Sequence, residues 1–172
     1  MPMKLPGTAT QPENIYIALG KLGLGPGMVF LDLGCGSGAV CRQAALFTDR
    51  IYGVDRRPEA VQASRELVPQ GTFVLGEAAD VLDSLPRPDR CFVGGTRGIE
   101  DFLPVLAGRA APGFRLVVSL ARIGAAARVA GLVKKHFVEE EFLQITINRG
   151  YELAGDLALR PVNPIFMVVA RR

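Results

Sequence analysis

Leu31-Asp32-Leu33-Gly34-Cys35-Gly36-Ser37-Gly38 is the stretch on which the fold of this chain turns. The run leading into it, Met28 to Leu33, shows no regular polar alternation, as expected of a parallel strand covered on both faces. Gly34 to Gly38 follows at once, with glycine at 34, 36 and 38. Glycines on this scale cost backbone entropy that a plain turn need not spend. They also remove the Cβ atoms that would hold a ligand away from the backbone. The reading is strand, glycine turn, helix.

Upstream, Thr10 and Glu13 read as a capping box, and Ile15, Ala18, Leu19 and Leu22 recur at helical spacing until Gly23. A short helix over about 11–22 is expected before the sheet. Downstream the alternation repeats. Strands are predicted at 51–54, 72–75, 91–93 and 115–120. Helices are predicted from Pro58 to about Val68, over 78–85 and 99–107, and from about Arg122 to Phe137. Five β-α steps in a row mean a parallel sheet wound by right-handed crossovers. Two late strands, 141–148 and 165–170, are joined by a loop with no helical pattern and should pair antiparallel. The expected fold class is therefore α/β: one doubly wound, mostly parallel seven-stranded, Rossmann-like sheet over 1–172, with an antiparallel C-terminal strand pair.

Composition removes several function classes. Hydrophobic residues make up 49% of the chain and charged residues 22%, too much apolar surface for a disordered segment. The net charge of +3 comes from scattered Arg and Lys, with no basic run and interleaved aromatics, so nucleic acid is not the expected partner. The most apolar stretch, Phe114 to Val133, is broken by Arg115, Arg122 and Arg128 and does not read as a membrane span. Cys35, Cys41 and Cys91 lack paired metal spacing and suit reduced thiols in a cytoplasmic protein. No metal site and no His/Asp/Ser set is expected; His136, late in a helix beside Lys134 and Lys135, reads as a surface residue.

The glycine turn literally fits a dinucleotide fingerprint, with Gly34, Gly36 and Ala39 in register and Asp55 about 20 residues on. Two features favour S-adenosyl-L-methionine instead. Asp32 sits two residues before the first glycine, where it can support the turn or a cationic amino acid, and Glu77-Ala78 offers an adenine-side loop after the third strand. The length also leaves little room for a second mononucleotide half. Asp55 closes the second strand, where a carboxylate can accept both ribose hydroxyls; the alternative is support for the helix that Pro58 opens. Gly94-Gly95-Thr96 ends the fourth strand, either as the place where a methyl acceptor approaches or as a glycine-rich helix entry. Arg56 and Arg57 read as a solvated face or as receptors for a substrate carboxylate.

Thr10-Gln11, Asp32 to Gly38, Tyr52-Gly-Val-Asp55, Gly76 to Asp83, Phe92-Val-Gly-Gly-Thr96 and Asn163-Pro164-Ile165 together resemble the decarboxylating cobalt-precorrin carbon-15 methyltransferases of cobalamin biosynthesis. The likeness runs from about Thr10 to the C-terminus. It implies methyl transfer to carbon 15 of a corrin precursor, coupled to loss of carbon dioxide from the acetate on carbon 12. Cofactor contacts carried over are Thr10, Gly34, Cys35, Gly36, Ser37, Gly38, Asp55 and Ala78, with Gly94, Gly95 and Thr96 on the substrate side and no catalytic residue named. The resemblance also implies a tetrapyrrole substrate, a homo-oligomer, tetrameric in the family, and a separate carbon-5 methylase in the same pathway. Members often have a longer acidic leader and a Lys after the Thr, where this chain has Gln11. Two rival readings stand beside it: an RNA methyltransferase on the same scaffold, for example one acting on tRNA, and a cofactor-binding subunit without activity.

Overall fold

The structure is a computed structural model that describes residues 10–172, with backbone alone at 139 and 140. Its elements follow in the order α1 (Pro12–Leu22), β1 (Phe30–Leu33), α2 (Ala39–Ala44), β2 (Ile51–Asp55), α3 (Pro58–Leu67), β3 (Thr72–Leu75) and α4 (Ala78–Val81). They continue with β4 (Arg90–Val93), α5 (Ile99–Arg109), β5 (Arg115–Leu120), α6 (Ile123–Val133), β6 (Val138–Ile145), β7 (Asn148–Leu153), β8 (Asp156–Pro161) and β9 (Ile165–Arg171).

Seven strands form one sheet in the order β3-β2-β1-β4-β5-β9-β6. The first five are parallel, and β9 runs antiparallel to both β5 and β6. Period-two alternation sorts the side chains onto two apolar layers. Leu31, Leu33, Leu116, Val118, Val168 and Ala170 pack with Phe102, Leu106 and Val129 of α5 and α6. Phe30, Val117, Met167 and Val169 pack on the other face with Leu19, Leu22, Cys41 and Val61 of α1, α2 and α3. Asp32 occupies a position in β1 that alternation assigns to this second layer, and it is 1% exposed.

Several expectations are corrected. Thr10 does not cap α1: the N-cap is Gln11, without a side-chain cap bond, and Pro12 opens the helix. Proline at the first helical position has a preset φ and no N–H to satisfy, so the cap is dispensable. Glu13, freed from the box, accepts from Arg149 Nη2 at 2.9 Å. At its other end α1 stops as expected, with Gly23 left-handed at φ 60° and its N–H on Leu19 O at 3.0 Å. The helix expected over 78–85 is α only to Val81 and then tightens into a 3-10 turn, Leu82–Ser84. α6 ends at Val133 rather than Phe137, and β1 begins at Phe30 rather than Met28.

The segment between the late strands is not a loop: β7 and β8 pair as an antiparallel hairpin outside the main sheet. Ala154 and Gly155 connect them, both with positive φ (53° and 85°), as a twist-matched two-residue turn demands. Arg149 ties the hairpin to the start of α1 through Glu13 and Gln11. No helix among the described residues is long and apolar enough to cross a membrane.

Candidate functional site

β1 and β4 lie side by side, and at their shared carboxyl edge the chain leaves β1 toward β2 and leaves β4 toward β5, in opposite directions. Such a switch point opens a crevice where doubly wound sheets receive ligands. Here it is a cleft of about 670 Å³.

Backbone hydrogen bonds knit its floor. Gly34 N and Cys35 N both donate to Val54 O, at 2.8 and 3.1 Å, drawing the turn after β1 toward β2. Gly94 N and Gly95 N both donate to Leu33 O, at 3.0 and 3.1 Å, drawing the turn after β4 to the same place. The two turns touch: a Cβ on Gly34, whose φ is +81°, would stand 2.6 Å from Gly95 N. That approach explains glycine at 34, since any side chain there meets backbone, while a Cβ on Gly95 would sit tightly, 3.3 Å from Gly34 Cα.

Thr10, Gly34, Cys35, Gly36, Ser37, Asp55, Ala78, Gly94, Gly95 and Thr96 all line the cleft. Gly38 stands apart from them, turned toward α3, where a Cβ would meet Ser64 Cα at 3.0 Å; its glycine serves helix packing. Phe92, which opens the Phe92 to Thr96 motif, lines the cleft too, as do Arg97 and Phe102, which carried no sequence signal of their own. Cys35 is 5% exposed, with its thiol pushed up to about 12, first by burial and then by the charge of Asp32. It is a neutral packing thiol and no nucleophile.

Asp55 is 5% exposed at the end of β2. Its Oδ2 accepts from Gly36 N at 3.0 Å and its Oδ1 from Arg57 N at 3.0 Å. One carboxylate thus ties down the glycine turn and the start of α3, and the helix-support alternative is part of its role. The Arg57 guanidinium closes on both oxygens, with Nε–Oδ1 and Nη2–Oδ2 at 3.0 Å. Burial raises the Asp55 pKa, but the bonds from Arg57 and Gly36 outweigh it and hold the carboxyl below its usual value.

Residues 6–172 match the family model described as the precorrin methyltransferase domain. The chain belongs to that family. A relative in Methanosarcina mazei, named a probable cobalt-precorrin-6B C(15)-methyltransferase (decarboxylating), is 33% identical, with 96% of this chain and 95% of that one aligned. The fold matches the crystal structure of a precorrin-8w decarboxylase from Methanobacterium thermoautotrophicum, with TM-score 0.91, 23% identity, and 99% and 96% of the two chains covered. It also matches a SAM-dependent O-methyltransferase from Thermotoga maritima, with TM-score 0.75, 15% identity, and 96% and 68% covered. The architecture is that of the class I methyltransferases.

Beneath the turn of this precorrin methyltransferase domain, Asp32 Oδ2 accepts from the Cys41 thiol at 3.3 Å, and Oδ1 has no hydrogen-bond partner among the described residues. Its carboxyl is pushed up to about 7, mainly by burial, with the charge of Asp55 adding and the Cys41 bond opposing. Because the folded value lies above the unfolded one, near 3.8, the protonated acid favours the fold. That stability is complete below about pH 4 and is lost as pH rises through 7. Asp32→Asn should abolish this loss. Unfolding free energies of wild type and variant, read from denaturant curves, should diverge between about pH 4 and 7, to a difference on the order of 3 kcal/mol. A pH-independent difference would show that Asp32 does not titrate there.

Proposed function

We propose that this chain transfers the methyl group of S-adenosyl-L-methionine to carbon 15 of a cobalt-precorrin macrocycle, with loss of carbon dioxide from the acetate on carbon 12. The observation that carries the reading is the contact of the Gly34 and Gly95 turns at the switch point in a chain of the precorrin methyltransferase family.

The cleft suits the cofactor on three counts. Gly34 and Gly36 present bare backbone at positive φ. The buried Asp32 Oδ1, on the cleft wall, lacks a partner among the described residues, which suits a hydrogen-bond donor from the amino-acid end. Asp55 stands where a ribose reaches the end of β2, and Gly76, Glu77 and Ala78 form the wall on the β3 side. When bound, S-adenosyl-L-methionine supplies an electrophilic sulfonium methyl.

The protein's part is to place the acceptor carbon in line with that methyl at about 3 to 3.5 Å, which needs position more than a strong base. Gly94, Gly95 and Thr96 border the place where the methyl emerges. Arg56 and Arg97 line the cleft and supply charge for a polycarboxylate ring. The unit works as a homo-oligomer, and carbon-5 methylation falls to a separate enzyme.

The test pairs binding with label transfer. Calorimetry should show S-adenosylhomocysteine binding without a comparable signal for NAD. Methyl-labelled cofactor should label a cobalt-precorrin-6B pool and leave tRNA unlabelled. Tight NAD binding, or label in tRNA alone, would overturn the reading.

A further inference from the structure

An ionised carboxylate offers about four lone-pair positions, two on each oxygen. In Asp55 all four are taken. Arg57 N and Gly36 N hold one position on each oxygen from the backbone side. The remaining position on each oxygen belongs to the Arg57 guanidinium, through Nε on Oδ1 and Nη2 on Oδ2. A guanidinium fork and a vicinal diol are both two-point donors, so the fork fills the two places that a ribose needs. It also lies over the glycine turn, 3.8 Å from where a Cβ on Gly36 would project. The Arg57 side chain is 30% exposed, and Arg57 lines the same cleft as Arg56 and Arg97.

We infer that Arg57 is a latch exchanged during the catalytic cycle: it holds Asp55 before the adenosyl cofactor arrives, gives way to the ribose diol, and then receives a carboxylate of the incoming macrocycle. The inference rests on the proposed reading of the cleft as an S-adenosyl-L-methionine site with a polycarboxylate acceptor. The backbone bonds from Gly36 and Arg57 keep Asp55 in place throughout, so only the guanidinium moves. An anionic partner suits it, because negative charge stabilises a guanidinium in a cleft that also holds Arg56 and Arg97. Cofactor and acceptor binding are thereby coupled. Coupling of this kind is reciprocal, so each ligand must raise affinity for the other by the same factor.

The exchange predicts an effect of unusual sign. Arg57→Ala removes the competitor and should tighten S-adenosylhomocysteine binding by at least about threefold, within the range of a partly exposed ion pair. Arg57→Lys keeps the charge without the fork and should fall between wild type and Ala. A residue that merely supported the site would weaken binding when removed.

The second readout titrates uroporphyrin, a macrocycle with acetate and propionate arms, by fluorescence. Saturating S-adenosylhomocysteine should raise its affinity for wild type by about fivefold or more, and this gain should disappear in Arg57→Ala. Both titrations use proteins whose melting curves show them folded. If wild type binds S-adenosylhomocysteine and Arg57→Ala binds it no tighter, or if the uroporphyrin gain survives in the variant, the latch is wrong while the cofactor site stands. If wild type does not bind S-adenosylhomocysteine, the reading of the cleft fails and the latch fails with it.

Discussion

Replacing Gly34 with Ala is expected to destabilise the fold by about 2 to 6 kcal/mol and to abolish cofactor binding in whatever fraction stays folded. Two causes add. A non-glycine residue at φ +81° pays roughly 1 to 3 kcal/mol of backbone strain. The new Cβ would also stand 2.6 Å from Gly95 N and 2.8 Å from Gly95 Cα, and overpacking of this kind costs about 1 to 3 kcal/mol. Backbone cannot swing aside as a flexible side chain can, so one turn must leave the other. The hydrogen bonds of Gly34 N to Val54 O and of Gly95 N to Leu33 O are then strained together. Urea unfolding of wild type and Gly34→Ala measures the cost. A variant within about 0.5 kcal/mol of wild type, the span of an ordinary surface substitution, would mean that the two turns are not in contact.

Asp55→Ala is expected to weaken S-adenosylhomocysteine binding by about ten- to a hundred-and-fifty-fold. That is about 1.5 to 3 kcal/mol, the range for hydrogen bonds to a charged group. The loss has two parts. On the proposed reading of the cleft the ribose loses its two-point acceptor, and Gly36 N loses the partner that holds the glycine turn in shape. Arg57 loses its carboxylate at the same time, so in this variant removing Arg57 as well should bring no further gain in affinity. Calorimetry on a folded variant reads the effect. An unchanged dissociation constant would leave Asp55 with helix support alone.

The five parallel strands and their order of appearance were legible from the sequence because buried parallel strands read as short apolar runs between turn residues. β3 and β5 begin and end at the predicted residues, and β2 runs one further, to Asp55. Failures cluster where local chemistry lacked its usual signal. The β7–β8 turn is Ala154-Gly155, and alanine at positive φ carries none of the Asn-Gly signature by which hairpins are recognised. The capping box at Thr10 was a correct pattern defeated by its neighbour, since Pro12 starts the helix without a cap. α4 gave way to a 3-10 turn at Leu82, which is 0% exposed.

The cleft was legible as positions rather than as contacts. Spacing brought Gly34 to Gly36 and Asp55 to one sheet edge, and the glycines at 94 and 95 to the same edge. It could not separate Gly38, which packs on Ser64, from Gly36, which faces the cleft. Both belong to one pattern and differ only in where the backbone points. Nor could it show that Arg57 grips Asp55, because Arg56 and Arg57 are equivalent in sequence. Only the backbone geometry after β2 selects the second of them.

Mass spectrometry of a cobalt-precorrin-6B pool incubated with the isolated chain and S-adenosyl-L-methionine tests the account most directly. The predicted product has gained one methyl and lost one carbon dioxide, with one S-adenosylhomocysteine formed for each carbon dioxide released. The carboxylate charge that disappears with carbon dioxide matches the sulfonium charge that disappears with the methyl, so the balance needs no redox partner. A macrocycle returned with its mass unchanged, while a known tetrapyrrole methyltransferase modifies its own substrate under the same conditions, would contradict the account.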